Sequence, residues 1–169
     1  VARVKEAVPA NTLIIFTSDN GCATGSQPSC LNGTLHGRKS SFLFEGATRV
    51  PFVAVWKEQL SQRVLDGPII LHDLGPTILA AQKAAPLTNA EGVDLMPFLK
   101  GTATLGTRTF VMGDKTEGSI RVGKWKWLTT GVLYDLEADP NETTNVAGAN
   151  PAKATELRNA RQAFVSSWK

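Results

Sequence analysis

Thr12-Leu13-Ile14-Ile15-Phe16-Thr17-Ser18-Asp19-Asn20-Gly21 is an apolar, β-branched run that stops at a carboxylate, a carboxamide and a glycine. It is too short for a comfortable helix and is closed by a polar turn, so it reads as a strand covered on both faces. Open α/β sheets place their chemistry at the carboxyl ends of such strands. Asp19 and Asn20 offer hard oxygen donors there, of the kind that suits Ca²⁺ or Mg²⁺ rather than a soft metal. Gly21 lets the chain turn away sharply. Taken alone, Asp-Asn-Gly after a strand is equally an ordinary turn.

Working outward, residues 1–10 read as the end of an amphipathic helix closed by Pro9, and Asn20 to Glu45 as a long, polar, glycine-containing loop. Loops of that length in a compact domain are usually functional. Phe52-Val53-Ala54-Val55-Trp56 is a second apolar strand, and Ile69 to Gln82 a mostly apolar helix with Pro76 kinking it or sitting near its first turn. Gly101 to Gly106 is a linker, after which the pattern changes. Ser119–Val122 and Trp125–Leu128 alternate in polarity around Gly123-Lys124, which predicts a hairpin with a two-residue type II′ turn. Val132–Leu136 extends that sheet, and a last helix begins with Asn150 as N-cap and Pro151 at the first position. Ala154, Leu157, Phe164, Val165 and Trp168 share one face of that helix.

The downstream segments strongly resemble the type I sulfatase family. Leu35-His36-Gly37-Arg38-Lys39 is similar to its Gly-x-Lys loop, and Phe44-Glu45-Gly46-Ala47-Thr48-Arg49-Val50-Pro51 to its Glu-Gly-Gly-x-Arg-Val-Pro segment, with Ala47 in place of the second glycine. Asp73-Leu74-Gly75-Pro76-Thr77-Ile78-Leu79 resembles the Asp-x-x-Pro-Thr-x-Leu helix, and Glu91 to Gly101 the following Asp-Gly-x-Ser-Leu-x-Pro-x-Leu segment. Leu133 to Val146 matches the signature Leu-Tyr-Asp-Leu-x-x-Asp-Pro-x-Glu-x-x-Asn-Leu closely. These landmarks stand in the family's order across nearly the whole chain.

The resemblance implies an α/β fold: residues 1–101 as the carboxyl-terminal part of an alkaline-phosphatase-like α/β sandwich, and residues 107–169 as a small antiparallel sheet carrying a helix. It implies a sulfuric ester hydrolase in which Asp19 and Asn20 ligate Ca²⁺, with Mg²⁺ as the alternative, and Lys39 is the catalytic cation that grips the substrate sulfate. The step from Lys39 to Glu45 is one residue longer than in many relatives, which keeps Arg38 open as the inward-pointing cation. His36 stands where many relatives have Arg and is a second substrate-binding candidate, set against a structural role. Glu45 and Arg49 read as a pair that organises the loop, and His72 and Asp73 as packing residues. Trp125, Trp127 and Trp168 read as core of the small subdomain.

The family's nucleophile is a formylglycine made from the Cys of Cys-x-Pro-Ser-Arg, and that motif does not occur here. Cys22 precedes Ala23-Thr24-Gly25 and Cys30 precedes Leu31-Asn32-Gly33. The expectation is therefore the carboxyl-terminal part of a sulfatase, with the formylglycine and further metal ligands in an amino-terminal half, acting on a sulfated small molecule or glycan. A phosphoester or phosphonate hydrolase of the same superfamily is the alternative enzyme, and an inactive remnant or interaction module the non-catalytic one. The resemblance suggests an exported, periplasmic or secreted, or else a lysosomal protein, and the localisation is left open by the sequence itself.

Composition sets the outer limits. The 169 residues are 42% hydrophobic, enough for a core, and the net charge of +3 comes from basic residues scattered rather than gathered. That distribution argues against a nucleic-acid surface. No apolar run is long enough to span a membrane. Cys22 and Cys30 fall in one loop, as free thiols or a local bridge. Asn32-Gly33-Thr34 and Asn141-Glu142-Thr143 both satisfy the glycosylation sequon.

Overall fold

The computed structural model describes residues 2–23, 32–41 and 43–168. Its chain divides into two compact units, one formed by residues 1–19 and 51–106, the other by residues 20–50 and 107–169.

In the first unit a short helix α1 (Ala2–Ala7) precedes strand β1 (Ile14–Thr17), which pairs antiparallel with β2 (Phe52–Val55). The ribbon differs from the expected strand buried on both faces. Phe16 lies opposite Val53 in the register, and these side chains are 52% and 42% exposed. Within this unit one side of the ribbon is apolar and uncovered, while Phe52, Ala54 and Trp56 pack on Leu95, Met96 and Leu99. The Trp56 indole Nε1–H donates to Asn11 Oδ1 at 3.0 Å.

The predicted helix over 69–82 is shorter than expected, a 3₁₀ turn (Leu71–Asp73) running into α3 (Leu74–Ala81). Pro76 stands in the first turn of α3, where its missing N–H is no loss. Asp73 is fully buried, as the packing reading expects. Its Oδ2 accepts from the Ile70 N–H and its Oδ1 from the Val93 N–H, both at 2.9 Å. One turn on, the buried Thr77 hydroxyl donates to the Asp73 carbonyl at 2.6 Å and accepts from the Leu95 N–H at 2.9 Å. Asp73 and Thr77 thus staple the helix to the segment entering α4 (Met96–Leu99). His72 is exposed.

The second unit is built on a four-stranded antiparallel sheet in the order β3-β4-β5-β6: Thr109–Gly113, Gly118–Val122, Trp125–Leu128 and Leu133–Asp135. The predicted hairpin is there, with Val122 opposite Trp125 and Gly123 at φ +57°. Lys124 is not among the positive-φ residues, so the turn is of the II′ kind, which needs a glycine only at its first centre. Strand β3 carries no alternation strong enough to announce it; its pairing to β4 creates it.

Helix α5 (Pro151–Ser166) covers one face of this sheet, with Leu157 packed on Ile120, Trp127 and Leu133. Asn150 holds the N-cap position with Pro151 after it, but its side chain makes no capping bond and its Nδ2 donates to the Val146 carbonyl instead. The buried face of α5 is Leu157, Arg161 and Val165, while Phe164 is exposed and meets Trp168 edge to face at 5.9 Å. Arg161 was expected on no apolar face; it is buried, its Nη2 donates to the Asp114 carbonyl, and burial lowers its pKa. No described helix is long and apolar enough to cross a membrane.

Candidate active-site loop

The other face of the second unit's sheet meets the loop that follows Asn20. Arg121, Lys126 and Tyr134 stand side by side in the strand register, and Leu128 and Tyr134 on this face pack with Leu43. Lys126 is therefore wholly buried although its neighbours are tryptophans whose alternation alone would send it to solvent. A buried ammonium needs partners. Its Nζ lies 3.0 Å from Glu45 Oε1 and 2.8 Å from Glu142 Oε1. The first contact is a hydrogen bond, whereas the second is an ion-pair contact away from the hydrogen-bonding direction. Arg121 Nη1 meets the other Glu45 oxygen at 2.9 Å, and Glu142 Oε2 accepts the Glu45 backbone N–H at 2.7 Å. Two carboxylates and two cations thus cancel in the interior. The expected pairing of Glu45 with Arg49 is replaced: among the described residues Glu45 makes its ion pairs with Lys126 and Arg121, and Arg49 only donates its backbone N–H to the Glu45 carbonyl, at 2.7 Å.

Glu142 reaches this position because its loop is tied down by its own side chains. Asp139 Oδ2 accepts from the N–H groups of Thr143 and Thr144, and Asn145 Oδ1 accepts from those of Leu133 and Ala147. Asp135 pairs with Lys124 at 2.7 Å. Glu142 itself adopts φ +55°, a left-handed conformation that few side chains favour. Burial pushes its carboxyl pKa up against the opposing pull of Lys126. A raised carboxyl holds its proton longer in the folded chain than in the unfolded one. Its contribution to stability therefore falls as pH rises from the ordinary value of 4.5.

From Glu45 the order passes to the loop backbone. Helix α2 (Glu45–Thr48) is a single turn with Glu45, Gly46 and Ala47 all buried. The Gly46 N–H donates to the His36 carbonyl at 2.7 Å, and the Gly21 N–H to the Ala47 carbonyl at 2.8 Å. Two glycines make this approach possible. A Cβ on Gly21 would stand 1.9 Å from the Gly46 oxygen, and one on Gly46 would stand 2.4 Å from both the His36 and Gly37 oxygens. The Lys39 N–H donates to the Cys22 carbonyl at 2.8 Å. Asn32 closes the arrangement: its Oδ1 accepts the Cys22 N–H and its Nδ2 donates to the Gly37 carbonyl. The first glycosylation sequon is thus a loop brace. Cys22 is disulfide-bonded, and Cys30 lies outside the described residues.

The predicted site residues fall in these places. Asn20, His36 and Lys39 belong to the second unit, on two segments, 20–22 and 36–39, joined through these backbone bonds; Asp19 closes the first unit. Asp19 and Lys39 are exposed. The Asn20 Nδ2 donates to the Gly21 carbonyl at 2.9 Å. A carboxylate and a carboxamide oxygen are hard donors of the kind that fits Ca²⁺ or Mg²⁺. Among the described residues no group of three or more His, Cys, Asp or Glu side chains forms a metal cage. His36 stacks on Phe44 with ring centroids 3.9 Å apart. Its Nδ1 donates to the Glu142 carbonyl at 3.2 Å, which holds the proton on that nitrogen. The sequence reading missed Lys126, Arg121 and Glu142. No local signal marks Lys126, whose sheet face carries Arg121 as well as Leu128 and Tyr134.

Comparison with known proteins reads the same residues. The family model described as Sulfatase matches residues 1–84. Human arylsulfatase A is 33% identical over 187 residues, covering 87% of this chain and 36% of the relative. The chain belongs to the sulfatase family. Choline-sulfatase of Rhizobium meliloti is 32% identical, covering 90% of this chain and 31% of the relative. A solved structure from work on the metabolism of multiple glycosaminoglycans by Bacteroides thetaiotaomicron superposes with a TM-score of 0.76 at 25% identity, covering 93% of this chain and 39% of that one. The sulfatase chain thus spans about a third of the length of the curated relatives it matches. Its fold is the alkaline-phosphatase-like α/β fold of these neighbours.

Proposed function

We propose that this chain is the carboxyl-terminal part of a sulfate ester hydrolase, with residues 1–101 contributing to the catalytic domain and 107–169 forming the small subdomain. The observation that carries the reading is the loop of the second unit, which ties the backbone of Lys39 to that of Cys22, two residues beyond Asn20. Asp19 and Asn20 would hold a divalent cation, Ca²⁺ by preference, as two of the six to eight oxygens such an ion takes. When bound, that ion neutralises charge on the sulfate oxygens as the sulfur–oxygen bond breaks.

Lys39 supplies a flexible ammonium that follows the sulfate oxygens, strengthening its hydrogen bonds as negative charge gathers there. The Asn20 amide nitrogen donates to the Gly21 carbonyl, and its oxygen is the atom this reading assigns to the cation. His36, fixed by Phe44 and the Glu142 carbonyl, retains Nε2 for a polar substrate group. The nucleophile, a formylglycine in this reading, comes from residues that these 169 do not include, as do the remaining metal ligands. The substrate is a sulfated small molecule or glycan.

The test joins binding with turnover. Calorimetric titration with CaCl₂ of a protein that carries this chain together with the remaining metal ligands is expected to show binding that Asp19→Asn and Asn20→Ala each abolish. A protein carrying this chain together with a Cys-x-Pro-Ser-Arg segment is expected to hydrolyse an aryl sulfate, with Lys39→Ala losing at least about a hundredfold in kcat/KM. Preferential cleavage of an aryl phosphonate over the sulfate would replace this reading with the phosphonate hydrolase. Full sulfatase activity in Lys39→Ala would remove Lys39 from the site.

A further inference from the structure

The cluster of Glu45, Arg121, Lys126 and Glu142 holds four charges in the interior of one unit, and no step proposed above uses it. The sheet's packing on α5 is carried by Ile120, Trp127, Leu133 and Leu157 on the opposite face. A lone ammonium at 0% exposure would be strongly destabilising, however, so the Lys126 face is incomplete until a carboxylate is delivered to it. Glu142 supplies one carboxylate at 2.8 Å, and Glu45 is the second, at 3.0 Å, which arrives attached to the loop. Its neighbours Gly46 and Ala47 make the backbone bonds to His36 and Gly21, and Cys22 then fixes Lys39.

We infer that Lys126 is a positioning residue: acting through Glu45, it sets the loop segments that carry Asn20, His36 and Lys39. The inference rests on the reading of Asn20 as a metal ligand given above. Lys126 touches neither metal nor substrate. It supplies a buried charge that Glu45 of the loop meets, with Glu142 closing the cluster by accepting the Glu45 N–H and seating His36 through its carbonyl. The requirement is for charge in that place more than for the shape of lysine, so arginine there would restore much of what methionine loses.

Amide hydrogen exchange on the 169-residue chain, paired with calorimetric CaCl₂ titration of a protein that carries this chain together with the remaining metal ligands, tests it. In Lys126→Met the amides of Gly21, Lys39 and Gly46 are expected to exchange at least about tenfold faster, while those of Val111 and Ile120 in the sheet stay within about threefold. Lys126→Arg is expected to restore loop protection, and calcium affinity is expected to weaken at least about tenfold in Lys126→Met and to recover in Lys126→Arg. Loop and sheet amides accelerating together, or calcium binding unchanged in Lys126→Met, would overturn the inference. Should Lys126→Met not fold, Glu142→Gln gives the same contrast in milder form, and unaltered loop exchange in it would be equally fatal. If the wild-type protein with the remaining ligands present ignores calcium while Lys126→Met shows the selective exchange, the metal reading is refuted and the loop placement by Lys126 is supported.

Discussion

Replacing Gly21 by alanine tests how tightly the loop is closed. Gly21 is not among the left-handed glycines, so the new methyl group costs nothing in backbone conformation and everything in space. It would lie 1.9 Å from the Gly46 oxygen and 2.9 Å from the Gly46 carbonyl carbon, both backbone atoms with no rotamer to move. Clearing even 3.0 Å needs the segments to part by about 1.1 Å. An opening of that size stretches the 2.8 Å Gly21–Ala47 hydrogen bond to about 3.9 Å, beyond bonding range. Overpacking costs about 1–3 kcal/mol and the lost bond about 0.5–1.5 kcal/mol. The expected destabilisation is therefore about 2–4 kcal/mol, or a melting temperature lower by about 5–15 °C in a chain of this size. Urea unfolding measures it against Gly148→Ala, where a Cβ meets nothing within 4 Å and the change should stay within about 0.5 kcal/mol. Equal midpoints for the two variants would show that the loop segments do not approach as described.

Other consequences can be measured separately. Thr77→Val removes the acceptor of the buried Leu95 N–H and should cost about 1–3 kcal/mol by urea unfolding, whereas an exposed threonine such as Thr102 changed the same way should cost under about 0.5 kcal/mol. Asp114 accepts three hydrogen bonds from Thr116 and Glu117, which lower its pKa from 3.8 to about 2. A lowered carboxylate stabilises the fold above its ordinary value and loses that contribution as pH falls through 2. Urea midpoints of the wild type should thus decline from pH 4 toward pH 2 more steeply than those of Asp114→Asn, and parallel curves would contradict the assignment. Phe16→Thr, on the exposed side of the β1–β2 ribbon, should reduce binding of an apolar dye while shifting stability by less than about 1 kcal/mol. A larger loss would mean that Phe16 is covered.

What could be read from the sequence was what depends on neighbours along the chain. The 118–128 hairpin follows from alternation around Gly123, and the start of α5 from Asn150-Pro151, since each signal acts within a few residues. Asp19, Asn20 and Lys39 were legible through their motifs. The tie between loop and sheet was not, because Glu45 and Lys126 are 81 residues apart and nothing local marks a lysine between tryptophans as buried. Arg49, only four residues from Glu45, offered the nearer and wrong partner. Gly21 and Gly46 read as ordinary turn glycines; that each faces another backbone is a property of the folded loop alone. Arg161 hid for a related reason, its acceptor being a carbonyl 47 residues away in a hairpin loop.

The buried charges also fix an order of events in time. Glu45 waits for Arg121, Lys126 and Glu142, which follow it by 76, 81 and 97 residues. At about 5–20 residues per second, a ribosome takes roughly 5–20 s to make the last of them. Until Arg121 and Lys126 are made the loop has no counter-charge on which to settle, and closing so long a segment must precede any reward from the contact. A chain ended before Glu142 would leave Lys126 with one of its two carboxylates and His36 without the carbonyl that seats it. The loop's final shape is thus decided by residues near the far end of the chain.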